Sequence, residues 1–248
     1  MAQQSWSGRT ARRGGVLWAA IHDLVTAAEA RAPGSDLQVL DLGGGTGGLA
    51  VPIAELGHRV VVVDPSPDAL AALDRRASES GVDHRLSGVQ GDAADLLDHV
   101  AAGEFDLVLC HGVLEFVDNP GQALDAIRAA MRPHAALSVV VAGRYAAVLA
   151  KAMAGHLLDA RALLSPQPAS SPRRYVPDEL VALLRTHDFE PAHVQAVRTF
   201  TDLIPSAALD NEPDAAGALL ELERAVAGVE AFAPVAAQVH VVATLAGD

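Results

Sequence analysis

The stretch Val39–Gly48, VLDLGGGTGG, places five glycines within six positions directly after an apolar run. Glycine costs backbone entropy in a folded segment, so a cluster this dense needs a physical reason. The usual reason is that a ligand approaches the main chain more closely than a Cβ atom would permit. A strand that runs through such a turn into a helix offers converging backbone N–H groups and the positive end of the helix dipole. The stretch therefore predicts a cradle for an anion or a cofactor.

Short β-branched runs alternate with longer helical patterns from residue 37 onward. Strands are predicted at 37–42, 59–64, 84–92, within 105–116, at 136–143, around 190–200 and at 237–245. Helices are predicted at 46–56, 66–80, from 93, at 120–131, 144–164 and 177–187. Continuous apolar strands separated by helices are typical of a parallel sheet that is covered on both faces. We predict an α/β, Rossmann-like fold with a mostly parallel seven-stranded sheet, helices on both faces and a helical lid.

The whole chain, 1–248, is read as a single domain. Residues 1–36 form an N-terminal helical cap and residues 37–143 a cofactor-binding core. Residues 144–176 and 201–235 are predicted to be insertions on the substrate side. Ligands of such sheets bind at the carboxyl ends of the strands, near the point where the strand order reverses. The residues that end each predicted strand should therefore form one group: Gly43, Asp64, Asp92, His111 and Arg144.

Composition restricts the partners of this chain. The formal net charge of −13 disfavours long-range attraction to nucleic acid unless positive charge is gathered locally. The single cysteine, Cys110, excludes an intrachain disulfide and fits a reducing compartment. Every apolar segment is interrupted by charge before the length of about 20 residues that a membrane span needs. We expect a cytoplasmic protein without a membrane partner; Arg12 and Arg13 before an apolar run leave a signal peptide as the alternative.

The glycine run satisfies two cofactor patterns. Gly43, Gly45 and Gly48 match G-x-G-x-x-G, the weak signature of dinucleotide sites. Asp41, Gly43, Gly45 and Gly47 match D-x-G-x-G-x-G, which resembles the first motif of class I S-adenosylmethionine (AdoMet)-dependent methyltransferases. This resemblance implies a Rossmann-like methyltransferase fold that binds AdoMet through the turn, including Gly44.

Three acidic residues bear on this choice, and two of them distinguish the two patterns. Asp64 ends the second strand, at the offset where an acidic side chain meets a ribose diol in both classes. In the methyltransferases the residue at the position of Asp92 accepts from the adenine amino group, with Ala93 at the ring edge. Asp41 lies below the glycines, where a pyrophosphate would be repelled and a sulfonium would not. These positions favour AdoMet, although Asp41 could instead cap the turn.

A second resemblance covers most of the chain. The stretch CHGVLEFVDNP, 110–120, resembles the tRNA 5-carboxymethoxyuridine methyltransferases, which methylate the carboxyl of a wobble uridine, and so does LLELE, 219–223. The resemblance implies cofactor contacts at Gly43, Gly44, Asp64, Ala93, Ala94 and His111. Two features depart from that family. Trp18 stands where the family has an arginine near the methionine carboxylate, which leaves Arg12 or Arg13 as substitutes. The family's lysine-rich loop is also missing after the fifth strand, which weakens the inference of a tRNA substrate.

Methyl transfer from a sulfonium is an in-line displacement that needs no acid for its leaving group, so orientation of the acceptor dominates. The predicted catalytic residues are His111, Arg144 and Tyr145. Glu115, four residues after His111, is interpreted as a structural cap. Arg173 and Arg174 could clamp a carboxylate or phosphate, or form only a solvated loop. Trp6 and Trp18 pack or cover the site. The ten histidines show no ligand spacing, so no metal site is predicted.

The leading hypothesis is an enzyme that transfers the methyl group of AdoMet to an oxygen or nitrogen atom. We favour a small-molecule acceptor over tRNA because of the acidic balance and the missing lysines. The alternatives are a wobble-uridine carboxyl methyltransferase and, from another class, an NAD(P)-dependent oxidoreductase. A relative that binds AdoMet without transferring its methyl group is a further alternative, because this chemistry requires no particular catalytic residue. The oligomeric state is not predicted.

Overall fold

The computed structural model describes residues 8–165, 171–205 and 214–247, with the backbone alone for 8–14. Trp6 lies outside the described residues, and the side chains of Arg12 and Arg13 are not described. The strands are β1 (Gln38–Leu42), β2 (Arg59–Asp64), β3 (Leu86–Gln90), β4 (Phe105–His111), β5 (Met131–Ala142), β6 (Phe189–Val197) and β7 (Gln238–Leu245). The helices are α1 (Gly8–Arg31), α2 (Ala50–Glu55), α3 (Pro67–Ser80), α4 (Leu96–His99), α5 (Pro120–Ala130), α6 (Arg144–Met153), α7 (Leu157–Ala162), α8 (Pro177–Thr186) and α9 (Ala215–Ala227), with a 3₁₀ helix at Glu230–Val235.

The seven strands form one sheet in the order β3-β2-β1-β4-β5-β7-β6. The first five are parallel, and β7 is antiparallel to both β5 and β6. The predicted mostly parallel, seven-stranded sheet is therefore confirmed. The chain leaves β1 toward β2 on one side and returns through β4 on the other, so the strand order reverses between β1 and β4. A cleft for a ligand is expected at the carboxyl ends of these two strands.

Both faces of the sheet are buried, which explains the continuous apolar strands. Val108 and Cys110 of β4 pack in the core beneath α5 and α8. Leu107 and Leu109 point to the other face, into a core that includes Ile21 of α1. Each face buries one half of the strand, because successive side chains of a strand point to opposite sides. Ile21 and Val25 of α1 are buried, so this helix packs one side against the sheet.

Several predicted element bounds differ from the structure. The helix predicted at 46–56 begins only at Ala50, because Gly45 and Gly47 have left-handed φ angles of 55° and 78° that hold this segment in turns. Strand β5 begins at Met131, earlier than predicted, because Met131 pairs with Phe105 across a register shift. The predicted continuous helix 144–164 is two helices, α6 and α7, separated near Gly155 with φ 80°. None of the helices in the described part of the chain has the length and apolar character needed to cross a bilayer.

Candidate cofactor site and active site

A cavity of about 530 Å³ lies at the carboxyl ends of β1, β2 and β4. Its volume is within the range of roughly 300 to 1,000 Å³ that small-molecule and cofactor sites occupy. Five residues that were predicted to contact the cofactor line it: Gly43, Asp64, Asp92, Ala93 and Ala94. These residues come from three separate loops, and the parallel topology brings them to one edge of the sheet.

The glycine turn is shaped by its own backbone and by Asp64. Gly43 donates its N–H to the carbonyl of Val63 at 2.7 Å, and the Gly45 N–H bonds to Asp64 Oδ2 at 2.9 Å. Asp64 Oδ1 accepts the N–H of Ser66 at 2.9 Å. Each carboxylate oxygen can accept further hydrogen bonds after these contacts. Asp64 thus anchors the turn while its carboxylate, 8% exposed, lines the cavity where a ribose diol could bind.

Not every glycine of the turn faces the cavity. Gly43 lines it, and a Cβ atom there would stand 2.5 Å from Val113 Cγ2. Gly47 faces α3, where a Cβ atom would stand 2.3 Å from Leu73 Cδ1. Gly44 and Gly45 approach the carboxylates of Asp41 and Asp64. The turn therefore needs its glycines for packing and backbone conformation as well as for ligand access, and contacts of Gly44, Gly45 and Gly47 with AdoMet stay predictions.

Asp92 and Asp41 occupy different environments. Asp92 is exposed at the cavity, and its Oδ1 accepts the Ala94 N–H at 2.6 Å, which fixes the loop after β3. Asp41 is only 3% exposed and lies beneath the turn, outside the cavity lining. Burial, with a smaller contribution from the negative charge of Asp64, raises the pKa of Asp41 to about 7. A bound cation above the turn would favour the ionised form of Asp41 by Coulomb attraction.

His111 belongs to a buried row of hydrogen bonds that crosses four strands. His111 Nε2 lies 2.8 Å from Ser138 Oγ, which is 2.8 Å from His240 Nε2. His240 Nδ1 lies 3.1 Å from Gln195 Oε1 and so donates to it. Ser138 then donates to His240 Nε2 and accepts from His111 Nε2–H. Burial lowers the pKa of His111 to about 3 and of His240 to about 4, so both rings are neutral at neutral pH.

This row leaves His111 Nδ1 as an unprotonated acceptor. That atom is buried and has no hydrogen-bond partner among the described residues. His111 itself does not line the cavity, whereas the next residue, Gly112, does. The imidazole of His111 bonds to Ser138 within the sheet and does not line the cavity. A catalytic role for His111 therefore stays a prediction.

Glu115 connects the loop after β4 to β5 and to the segment before α8. Its Oε1 accepts the N–H of Ala142 at 2.7 Å, and its carbonyl oxygen accepts the N–H of Arg173 at 2.9 Å. Burial raises its pKa. Tyr175 donates its hydroxyl proton to the Leu114 carbonyl at 3.0 Å. Through these contacts Glu115 joins three segments; the sequence had favoured a structural role for it as a turn cap.

Arg144 and Tyr145 lie away from the cofactor cavity. Arg144 forms two hydrogen bonds to the Glu179 carboxylate, at 2.7 and 2.6 Å, and one to the Arg174 carbonyl at 2.9 Å. Tyr145 is 41% exposed at the start of α6. Neither residue lines the cavity, so their predicted catalytic roles have no support from its geometry.

The two arginines before α8 have different surroundings. Arg173 donates from its guanidinium to the carbonyls of Val117 and Asp118, which both line the cofactor cavity. Arg174 lines a second cavity beyond β5. The two arginines of the predicted clamp therefore lie at two different cavities. Trp18 packs against the core beneath α1, its ring 6.3 Å from that of His22.

Several cavity residues were not predicted as cofactor contacts from the sequence. They follow β4 and form one wall: Gly112, Val113, Phe116, Val117, Asp118 and Asn119. The aromatic ring of Phe116 is 70% exposed at this wall. The family resemblance of residues 110–120 and the rule that ligands bind beyond strand ends both point to this loop. Among the described residues no group of three or more acidic, histidine or cysteine side chains could hold a metal ion.

The fold and this site define a class I AdoMet-dependent methyltransferase. Residues 40–137 match the protein family described as a methyltransferase domain. The chain is an AdoMet-dependent methyltransferase, and the residues lining the cofactor cavity fit the donor that this class of enzyme uses. The family match thus favours methyl transfer over the oxidoreductase alternative.

Two relatives and one solved structure illustrate the similarity. The chain is 28% identical over 213 residues to the tRNA 5-carboxymethoxyuridine methyltransferase of Escherichia coli K12, covering 84% of this chain and 79% of that protein. It is 32% identical over 167 residues to a ubiquinone biosynthesis O-methyltransferase of Xanthomonas campestris pv. campestris B100, covering 66% of each. The fold resembles magnesium protoporphyrin IX methyltransferase from Synechocystis PCC 6803, with a TM-score of 0.60, 15% identity and coverage of 95% and 86%.

Proposed function

We propose that this enzyme transfers a methyl group from AdoMet to an oxygen or nitrogen atom of a small-molecule acceptor in the cytoplasm. Bound AdoMet supplies the electrophilic methyl group. Gly43, Asp64, Asp92 and Ala93 would hold it, because they line one cavity at the switch point of the sheet. Catalysis then depends on aligning the acceptor with the methyl–sulfur bond, which these fixed loops can provide.

The distribution of positive charge supports a small acceptor. Beyond β5, Arg144, Lys151 and Arg185 each form a salt bridge with a carboxylate. Cations neutralised in this way attract phosphates weakly, and the chain carries a net charge of −13. Phosphate contacts supply most of the affinity for nucleic acid. This pairing of basic side chains is the observation that carries the proposal.

A wobble-uridine carboxyl in tRNA is the second candidate. It is favoured by one observation, the 28% identity to the E. coli enzyme over 84% of this chain. The ubiquinone-pathway relative, whose name indicates a small-molecule product, matches a smaller share of the chain, 66%. Length of similarity and surface charge therefore favour different acceptors.

A labelling experiment separates the two candidates. The protein is incubated with methyl-labelled AdoMet and either total tRNA or a cell extract from which macromolecules have been removed by ultrafiltration. We expect label in the small-molecule fraction, and less of it with the Asp64→Asn variant at AdoMet concentrations below saturation. Label in tRNA alone, together with retention on tRNA that declines steeply with salt, would establish the second candidate instead. No AdoMet binding by calorimetry would refute methyl transfer altogether.

A further inference from the structure

A second cavity, of about 190 Å³, lies beyond the end of β5 and shares no lining residue with the cofactor cavity. It is lined by Gly143, by Ala146 and Ala147 in the first turn of α6, by Arg174, and by Arg198 and Thr199 in the turn after β6. The volume is below the roughly 300 Å³ at which pockets for whole drug-sized ligands begin. The cavity therefore has room for one chemical group of a larger molecule.

Two buried polar atoms in this wall have no partner among the described residues. They are Arg198 Nε and Thr199 Oγ1, from consecutive residues. Thr199 is only 4% exposed. Buried polar groups in folded proteins are almost always paired, so two consecutive residues with unpaired polar atoms make this cavity wall a candidate for binding an acceptor group.

The charge of the cavity wall is positive. Arg174 and Arg198 line it together with one carboxylate, Asp202, to which Arg198 Nη2 is paired. Among these lining side chains that leaves one net positive charge, on Arg174. The N-terminal turn of α6 adds a partial positive charge from its aligned peptide dipoles. The cavity thus offers hydrogen-bond donors and positive potential to one bound group.

The backbone at this wall is strained and held in place. Arg198 has φ 57°, a left-handed conformation that long side chains seldom adopt. The buried carboxylate of Glu223 accepts the N–H groups of Thr199, Phe200 and Thr201 at 2.8 to 2.9 Å, and the Thr201 hydroxyl at 2.8 Å. Strain of this kind persists where the surroundings over-determine it, and it is frequent in binding sites. Glu223 thus holds the backbone of Thr199 and of the turn that follows Arg198.

We propose that this cavity is a subsite for a compact anion, a carboxylate or phosphate group of the acceptor, bound by Arg198, Thr199 and Arg174. The inference rests on the proposed function and specifies its substrate class as an anionic small molecule. Consecutive residues connect the two cavities, since Arg173 holds the wall of the cofactor cavity and Arg174 lines the anion subsite. The anionic group serves as an anchor, and another atom of the acceptor receives the methyl group.

Calorimetric titration of the full chain with inorganic phosphate and with succinate, at constant ionic strength and saturating S-adenosylhomocysteine, tests the subsite. We expect saturable binding of at least one probe, and the preferred probe distinguishes phosphate from carboxylate. Arg198→Gln should weaken that binding about 10- to 100-fold, as loss of a charge-assisted hydrogen bond does. Thr199→Val, which keeps the volume, should weaken it several-fold. Arg185→Gln, at an exposed salt bridge elsewhere, is the matched control and should bind as the wild type does.

Binding of S-adenosylhomocysteine is measured on the same samples. If the wild type does not bind it, the proposed function fails first. If all variants bind it equally and only Arg198→Gln and Thr199→Val lose the anion, the subsite is supported. The inference would be overturned if neither probe bound saturably to the wild type. Equal affinities of the wild type and the variants would also overturn it. Should Arg198→Gln fail to fold, Thr199→Val alone decides.

Discussion

The carboxylate of Asp41 lies directly beneath Gly44. A Cβ atom at Gly44 would stand 2.4 Å from Asp41 Oδ2 and 2.5 Å from its Cγ. The carboxylate is buried, so it cannot move into solvent to make room. This contact explains a glycine that neither lines the cofactor cavity nor needs a left-handed φ. The buried position of Asp41 therefore requires a glycine at position 44. This contact leads to two predictions.

Gly44→Ala should destabilise the protein by about 1–3 kcal/mol, the usual cost of overpacking. It should also lower AdoMet affinity, because the glycine turn must shift to accommodate the methyl side chain of the new alanine. Gly48→Ala is the matched control, since no atom lies within 4 Å of its Cβ position and its φ is not positive. That variant should be as stable as the wild type or slightly more so. Equal denaturation midpoints for the two variants would contradict the prediction.

Asp41→Asn should alter how stability depends on pH. The pKa of Asp41 is raised from 3.8 to about 7 in the folded protein, so its neutral form is favoured on folding. This contribution is complete below pH 3.8 and is lost as the pH rises through 7. Relative to Asp41→Asn, the wild type should therefore lose up to about 4 kcal/mol of unfolding free energy between pH 4 and pH 7. Urea denaturation across that range checks it, with the exposed Asp74→Asn as control; parallel curves for wild type and Asp41→Asn would count against it.

Asp64→Asn should weaken AdoMet binding about 10- to 100-fold, because a charged acceptor at the cofactor cavity is lost. The amide can still accept only through one oxygen, so one of the backbone bonds to Gly45 or Ser66 is also lost. Isothermal titration with S-adenosylhomocysteine measures the effect. Asp74→Asn, on the exposed side of α3, should bind normally. Unchanged affinity in Asp64→Asn would remove the ribose-binding role of Asp64.

Ser138→Ala should destabilise the protein by about 2–3 kcal/mol, because it leaves two buried imidazoles, His111 and His240, without their shared partner. Chemical denaturation measures the loss. Ser87→Ala is the control, an exposed serine on β3, and should change stability by less than about 0.5 kcal/mol. If Ser138→Ala keeps its stability but loses turnover, the row of hydrogen bonds orients His111 for catalysis and does not merely stabilise the sheet.

Arg144→Gln and Glu179→Gln should each cost about 1 kcal/mol or less, since their salt bridge is partly exposed. In a double-mutant cycle the two changes should be coupled, and neither should affect AdoMet binding because Arg144 does not line the cofactor cavity. A large fall in kcat for Arg144→Gln, with Glu179→Gln unaffected, would instead support the predicted catalytic role of Arg144.

The glycine run and the strand ends were readable from the chain alone for a physical reason. Apolar runs as continuous as 59–64 bury both faces, and such strands form a parallel sheet. The carboxyl ends of parallel strands share one edge, so Gly43, Asp64 and Asp92 had to meet. Their position around one cavity follows from the parallel topology. That topology can be predicted from local sequence patterns.

Side-chain pairing could not be predicted in the same way. Arg144 lies at a strand end, as Asp64 does. Its guanidinium nevertheless bonds to Glu179, 35 residues away, and does not line the cofactor cavity. His111 bonds to Ser138, and Ser138 bonds to His240, across neighbouring strands. The register of these strands depends on the whole sheet. These contacts depend on distances between segments remote in sequence, and no local pattern encodes them.

The sequence by itself determined the class of fold, the cofactor edge and the acidic residues along it, because hydrophobic periodicity and glycine turns are local properties. Only the tertiary structure decided which arginines are neutralised, that Asp41 is sealed beneath Gly44, and that Arg198 and Thr199 meet Arg174 around a second cavity. Hydrogen bonds and salt bridges act over a few ångströms, so they exist only once folding has brought their partners together.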